Sequence, residues 1–127
     1  MKTILVIDDD DLVRDALARS LTSSGYKAIT AKDGHEALDH CRAAMPDLIL
    51  TDVIMPDKDG IETILELRKL ERRVPIIAIS GGGGNEKAML FLDVAHKLGA
   101  NKILAKPIRR TELLSAIAEL LPVTAGK

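Results

Sequence analysis

Five short apolar segments alternate along the chain with five stretches of helical periodicity. The apolar segments are Thr3–Ile7, Lys27–Ala31, Leu48–Thr51, Ile76–Ile79 and Lys102–Leu104. Each is rich in β-branched or aliphatic residues, as strands are. The first, third and fourth are almost continuous apolar runs, the pattern of strands covered on both faces. Between them, Leu12, Ala16, Leu17 and Leu21 recur at helical spacing, and Gly25 supplies a stop. Gly34–Ala44 predicts a shorter helix ended by Pro46. Asp59 opens a third with a capping-box-like start, and Ile61, Ile64, Leu65 and Leu67 supply its buried stripe. Asn85 caps a fourth that runs through Leu98 to a stop at Gly99. Thr111–Leu121 forms a fifth, with Leu113, Leu114, Ile117 and Leu120 on one side and Pro122 at its end. Five strand–helix units predict an α/β fold, a doubly wound parallel sheet with helices on both faces. A length of 127 residues, with no repeat and no linker, suits one domain. It is expected to span residues 1–122, with a frayed tail at 123–127.

Composition removes several classes of function. The aromatic residues are one Tyr and one Phe, so the core is aliphatic and no stacking platform for bases exists. A net charge of −1 gives no broad field to draw nucleic acid or a membrane surface. Cys41 stands alone, which excludes a disulfide framework. No apolar run reaches the roughly 18 residues that span a bilayer, and the N-terminus enters a strand with no signal-peptide pattern. The cytoplasm is the expected location. His35, His40 and His96 lack ligand spacing and read as solvated helix residues, as do the doublets Arg72-Arg73 and Arg109-Arg110. The run Gly81–Gly84 is not a phosphate-cradling loop, because no Gly-Lys-Ser/Thr follows it. Met89-Leu90-Phe91-Leu92 covers too much of the fourth helix to be buried whole, which leaves part of it for a partner.

In open parallel sheets the site lies beyond the carboxyl ends of the strands. Five polar residues fall there: Asp8 and Asp9 after the first strand, Asp52 after the third, Ser80 after the fourth and Lys106 after the fifth. Like charges at about 4 Å repel by roughly 4 kcal/mol per pair at an effective dielectric near 20, so a gathered carboxylate set calls for a cation. Hard oxygen donors, few and partly hydrated, suit Mg²⁺. An ionised aspartate beside a metal and a lysine can act as a nucleophile toward phosphorus. Phosphoryl transfer needs mainly positioning and charge neutralisation, which this small set supplies. Asp52, alone on the central strand, reads as the acceptor, and Asp8 with Asp9 as the metal seat. The backbone carbonyl of Ile54 is a further candidate ligand. Asp10 and Asp11 read as caps at a helix N-terminus.

Ile4-Leu5-Val6-Ile7-Asp8-Asp9-Asp10, Pro46-Asp47-Leu48-Ile49-Leu50-Thr51-Asp52-Val53-Ile54-Met55-Pro56 with Gly60, Ile79-Ser80-Gly81, Gly99-Ala100 and Lys106-Pro107 together resemble the receiver domain of two-component response regulators. The resemblance covers residues 2 to 121. It implies a flavodoxin-like sheet of order 2-1-3-4-5 and an Asp52 phosphorylated by a histidine kinase or phosphotransfer protein with Mg²⁺. It implies metal contacts from Asp9 and from Asp8, directly or through water, phosphoryl contacts from Ser80 and Lys106, and a cis Lys106-Pro107 bond. The apolar cluster Met89–Leu92 is expected to offer a protein partner the face of the fourth helix, fifth strand and fifth helix.

Two features depart from that family. Ile103 stands where an aromatic switch residue is usual. The interval from Ser80 to Lys106 is longer than usual and holds the glycine run, a loop expected to order when Ser80 engages a phosphoryl group. With one helix after Lys106 and no DNA-binding segment in view, the chain is expected to signal through a partner, as a stand-alone regulator in preference to an excised piece. It is not expected to be an enzyme beyond catalysing its own phosphorylation and dephosphorylation. Two other readings stay open. A phosphorylation-independent binding module is favoured mildly by Ile103. A Mg²⁺-dependent aspartyl-phosphate phosphatase is disfavoured because Ile54, not Asp, lies two residues after Asp52. Ile54 also offers no group to orient an attacking water, so slow autodephosphorylation is expected.

Overall fold

The computed structural model describes residues 1–53, 60–71, 73–80, 93–97 and 99–121. The strands are β1 (Thr3–Ile7), β2 (Lys27–Ala31), β3 (Leu48–Asp52), β4 (Ile76–Ser80) and β5 (Lys102–Ala105). The helices are α1 (Asp11–Ser23), α2 (Gly34–Ala43), α3 (Gly60–Leu70), α4, described over 93–97, and α5 (Arg110–Leu120). All neighbouring strands pair in parallel, in the order β2-β1-β3-β4-β5. This is the order the resemblance implies. Ile54, the glycine run 81–84, Asn85, the apolar cluster 89–92 and the tail 123–127 lie outside the described residues.

Alternation along each strand splits the core into two layers. Leu5, Ile7, Ile49, Ile76 and Ala78 point to one face, where Leu38, Cys41, Ile64 and Leu67 of α2 and α3 cover them. Ile4, Val6, Leu48, Leu50, Ile77 and Ile79 point to the other, under Leu17 and Leu21 of α1 and Leu113 and Ile117 of α5. The central strands β3 and β4 are buried at every residue, whereas the edge strands β2 and β5 are not. Each fully buried Leu or Ile contributes about 1.5–3 kcal/mol, which lets an aliphatic core hold the domain. Burial pushes the Cys41 thiol up to about 11, so it stays protonated and packs as an apolar group.

The helix stripes differ from the periodicity in two places. Leu65 is exposed rather than buried, because Ile64, Leu67 and the small polar Thr63 take the inward positions of α3. Leu65 lies one residue, about 100° of helical turn, past Ile64. In α1 the inward stripe runs Val13, Leu17, Leu21, at strict i, i+4 spacing. Leu12 and Ala16 each precede a stripe residue by one position and face outward, leaving Leu12 82% exposed.

At the sheet end opposite the aspartates, Arg68 ties three elements together. Its guanidinium donates to the carbonyls of Gly99 (2.7 Å) and Val74 (2.7 Å) and to Asn101 Oδ1 (3.0 Å). Asn101 Oδ1 also accepts from the Ile76 N–H at 2.9 Å. Gly99 has φ of 128°, and a Cβ there would meet Arg68 Nε at 2.8 Å. The arginine cannot swing away without losing its acceptors. Gly99→Ala is therefore expected to destabilise the fold by about 1–3 kcal/mol, read as a lower urea midpoint with unchanged m value.

Candidate functional site

The strand register builds the site. Ile7 pairs with Thr51, so the next residues along, Asp8 and Asp52, stand side by side. Asp52 pairs with Ile79, and Ser80 with Ala105, so Ser80 and Lys106 each stand one step further along the same edge. The Lys106 N–H donates to the Ser80 carbonyl at 2.7 Å, which carries the ladder past β5. The Lys106-Pro107 bond is cis.

Carboxylate oxygens of Asp8, Asp9 and Asp52 lie within 4.8 Å of one another. Asp8 and Asp52 are buried, and Asp9 is exposed at the rim. Lys106 Nζ reaches both buried carboxylates, at 3.0 Å from Asp8 Oδ2 and 3.0 Å from Asp52 Oδ2. Burial pushes the Lys106 ammonium toward losing its proton. The hydrogen bonds and negative charge of Asp52 and Asp8 outweigh it, so its pKa lies above the ordinary lysine value. A raised pKa places this pair's stabilisation fully below the unfolded value, near 10.4, and removes it only as pH rises through the higher folded value. Across the neutral range Lys106 therefore stays charged. Asp8 Oδ1 accepts the Asp10 N–H at 2.9 Å, which folds the chain back at the end of β1. Asp10 accepts from the N–H groups of Leu12 (2.9 Å) and Val13 (3.3 Å), and so caps α1 as its residue type suggests. Asp11 lies in the first turn.

Ser80 closes β4 and is 1% exposed. Thus Asp8, Asp9, Asp52, Ser80 and Lys106 come to one edge. Ile103, the expected switch position, does not join them. It is 39% exposed on the edge strand β5, away from the acidic cluster, in an open depression lined by Lys102, Leu104, Glu112 and Glu119. Lys102 and Glu119 form an ion pair across that face.

The donor set fits a hard divalent cation: oxygens only, close together, one of them from an exposed residue that leaves room for water. Lys106 lies against the two buried oxygens and neutralises part of their charge. Sequence reasoning gave Lys106 to an incoming phosphoryl group and missed its bond to Asp8. It also missed Arg14, whose Nη1 donates to the Asp8 carbonyl at 2.8 Å. The only signal for Arg14 was its place three residues after Asp11, on the same helix face.

A family model, the response regulator receiver domain, matches residues 4–118. Response regulator MprA of Mycolicibacterium vanbaalenii is 39% identical over 118 residues, covering 93% of this chain and 49% of the relative. The chain thus spans about half the length of the curated relatives it matches. Among solved structures, a candidate response regulator from Chloroflexus aurantiacus superposes with a TM-score of 0.87 at 31% identity, covering 96% of this chain and 98% of that one. Chemotaxis protein CheY4 of Vibrio cholerae does so with a TM-score of 0.84 at 28% identity, covering 94% and 98%. No described helix is long and apolar enough to cross a membrane. Fold, sheet-edge constellation and sequence match agree, and the chain belongs to the response regulator receiver domain family.

Proposed function

We propose that this chain is a phosphoacceptor in a two-component or phosphorelay system, phosphorylated on Asp52. The observation that carries the reading is the convergence of three carboxylates on one buried sheet edge with a lysine bonded to two of them. Asp8, Asp9 and Asp52 would hold Mg²⁺, with the Ile54 carbonyl as a further ligand. When bound, the metal supplies charge neutralisation and a hold on phosphoryl oxygens.

The chain's own groups do the rest. An Asp52 carboxylate oxygen forms a P–O bond as the donor's P–N bond breaks, and the imidazole nitrogen of the donor leaves with the bonding pair. Lys106, protonated in the neutral range, offers its ammonium to the oxygens that arrive on Asp52. The Ser80 hydroxyl, on the residue one step past Ile79, the register partner of Asp52, would donate to another. Burial of Asp52 at 5% exposure keeps bulk water from the acyl phosphate. The donor is a histidine kinase or a phosphotransfer protein, and the chain acts only on its own aspartate. The reader is a protein on the α4–β5–α5 face, where Ile103 is exposed. A net charge of −1 disfavours nucleic acid and membrane as readers, and the cytoplasm is the proposed location. Incubation with acetyl phosphate and Mg²⁺, followed by intact-mass measurement, tests the proposal. A gain of one phosphoryl group is expected, and an unchanged mass favours a phosphorylation-independent binding module instead.

A further inference from the structure

Asp9 is held differently from its neighbours. Asp8 is fixed at both carboxylate oxygens, Oδ1 by the Asp10 N–H and Oδ2 by Lys106. Among the described residues no hydrogen bond reaches the Asp9 carboxylate, although it completes the acidic cluster. Its direction must therefore come from its backbone, and first from the peptide that joins it to Asp8. The carbonyl of that peptide accepts from Arg14 Nη1 at 2.8 Å. The other terminal nitrogen, Nη2, pairs with the Asp11 carboxylate. The Arg14 backbone N–H donates to the Asp10 carbonyl at 2.9 Å. All three contacts fall on residues 8–11, the turn that carries Asp9. The arginine side chain is 17% exposed, so it is packed in place and not a solvated surface charge. A planar guanidinium loses little freedom per bond when it spans two acceptors in this way.

We propose that Arg14 is a positioning residue for the divalent cation, orienting the Asp9 carboxylate by clamping the Asp8–Asp9 peptide. The inference rests on the reading of the acidic cluster as a cation seat. Its sign separates it from plain electrostatics. As a nearby positive charge, Arg14 would oppose a cation, and its removal would tighten binding. As a clamp it preorganises a ligand, and its removal loosens binding.

The test compares wild type, Arg14→Gln, Arg14→Lys and Asp9→Asn in the full chain. Mg²⁺ affinity is measured by calorimetric titration, and backbone order at residue 9 by ¹⁵N relaxation in Mg²⁺-free buffer. Arg14→Gln is expected to raise Kd roughly 10-fold, the scale of losing a support behind a metal ligand. Arg14→Lys is expected to raise it too, since an ammonium keeps the charge but cannot span both acceptors. Order at residue 9 falls in both variants. An unchanged or lower Kd overturns the proposal while the cation reading stands, and so does a raised Kd with unchanged order at residue 9. If wild type binds no Mg²⁺, the cation reading fails and this proposal fails with it. If Arg14→Gln does not fold, as judged by urea unfolding, Arg14→Lys decides by the same criteria.

Discussion

Asp52→Asn is expected to take up no phosphoryl group from acetyl phosphate and Mg²⁺, under conditions in which wild type gains one. The loss should be at least ~10³-fold in rate, because the substitution removes the proposed nucleophile. An amide oxygen is uncharged and is a poor nucleophile toward phosphorus. Geometry argues that no other carboxylate takes over. Asp8 is fully buried and tied at both oxygens, by the Asp10 N–H and by Lys106. Asp9 lies exposed at the rim, whereas Lys106 bonds Asp8 and Asp52. The amide keeps the size of the side chain, so the variant should fold. Intact mass before and after incubation reads the result directly, and one phosphoryl group on the variant would move the acceptor role elsewhere.

Lys106→Met should have the largest effect on stability, and that effect should depend on magnesium. The lysine side chain is 21% exposed, while those of Asp8 and Asp52 are 0% and 7% exposed. Its removal takes away the ammonium that the two buried carboxylates of Asp8 and Asp52 share. Breaking a buried ion pair by removing one partner costs about 3–5 kcal/mol. Partial exposure of Lys106 places the expected loss toward the lower end of that range. Saturating Mg²⁺ should restore a large part of it, since a divalent cation among the same oxygens replaces the missing charge and stabilises the folded state by mass action. Urea unfolding of both proteins with and without Mg²⁺ gives the four free energies. A deficit that Mg²⁺ leaves untouched would mean that lysine and metal do not share these carboxylates.

Much of this was legible in the chain because the strands are short and their flanks chemically distinct. A strand that ends in Asp-Asp or in Asp52 announces both its own end and the site. The layering of the core followed from alternation alone, since Leu5 and Ile7 must face away from Ile4 and Val6. Where the reading failed, the reason was angular. Leu65 and Leu12 are apolar and near the right spacing, but a single residue is about 100° of helix, enough to turn each outward. Strand order came from the resemblance, because right-handed crossovers narrow the topologies without choosing one. The backbone contacts of Arg14 and Arg68 were not legible. Their acceptors are mostly backbone carbonyls, which every residue carries, so nothing in the side-chain pattern marks Asp8 or Gly99 as their partners. The exposure of Ile103 likewise depends on β5 being an edge strand, a property of strand order and not of the segment itself.

The acidic edge of Asp8, Asp9 and Asp52 is proposed to hold a divalent cation. Titrating ¹⁵N-labelled protein with MgCl₂ tests it most directly. Saturable shifts at residues 8, 9 and 52, lost in Asp9→Asn and not reproduced by NaCl of equal ionic strength, are the predicted result. Resonances of those residues that stay in place up to tens of millimolar Mg²⁺ would contradict it.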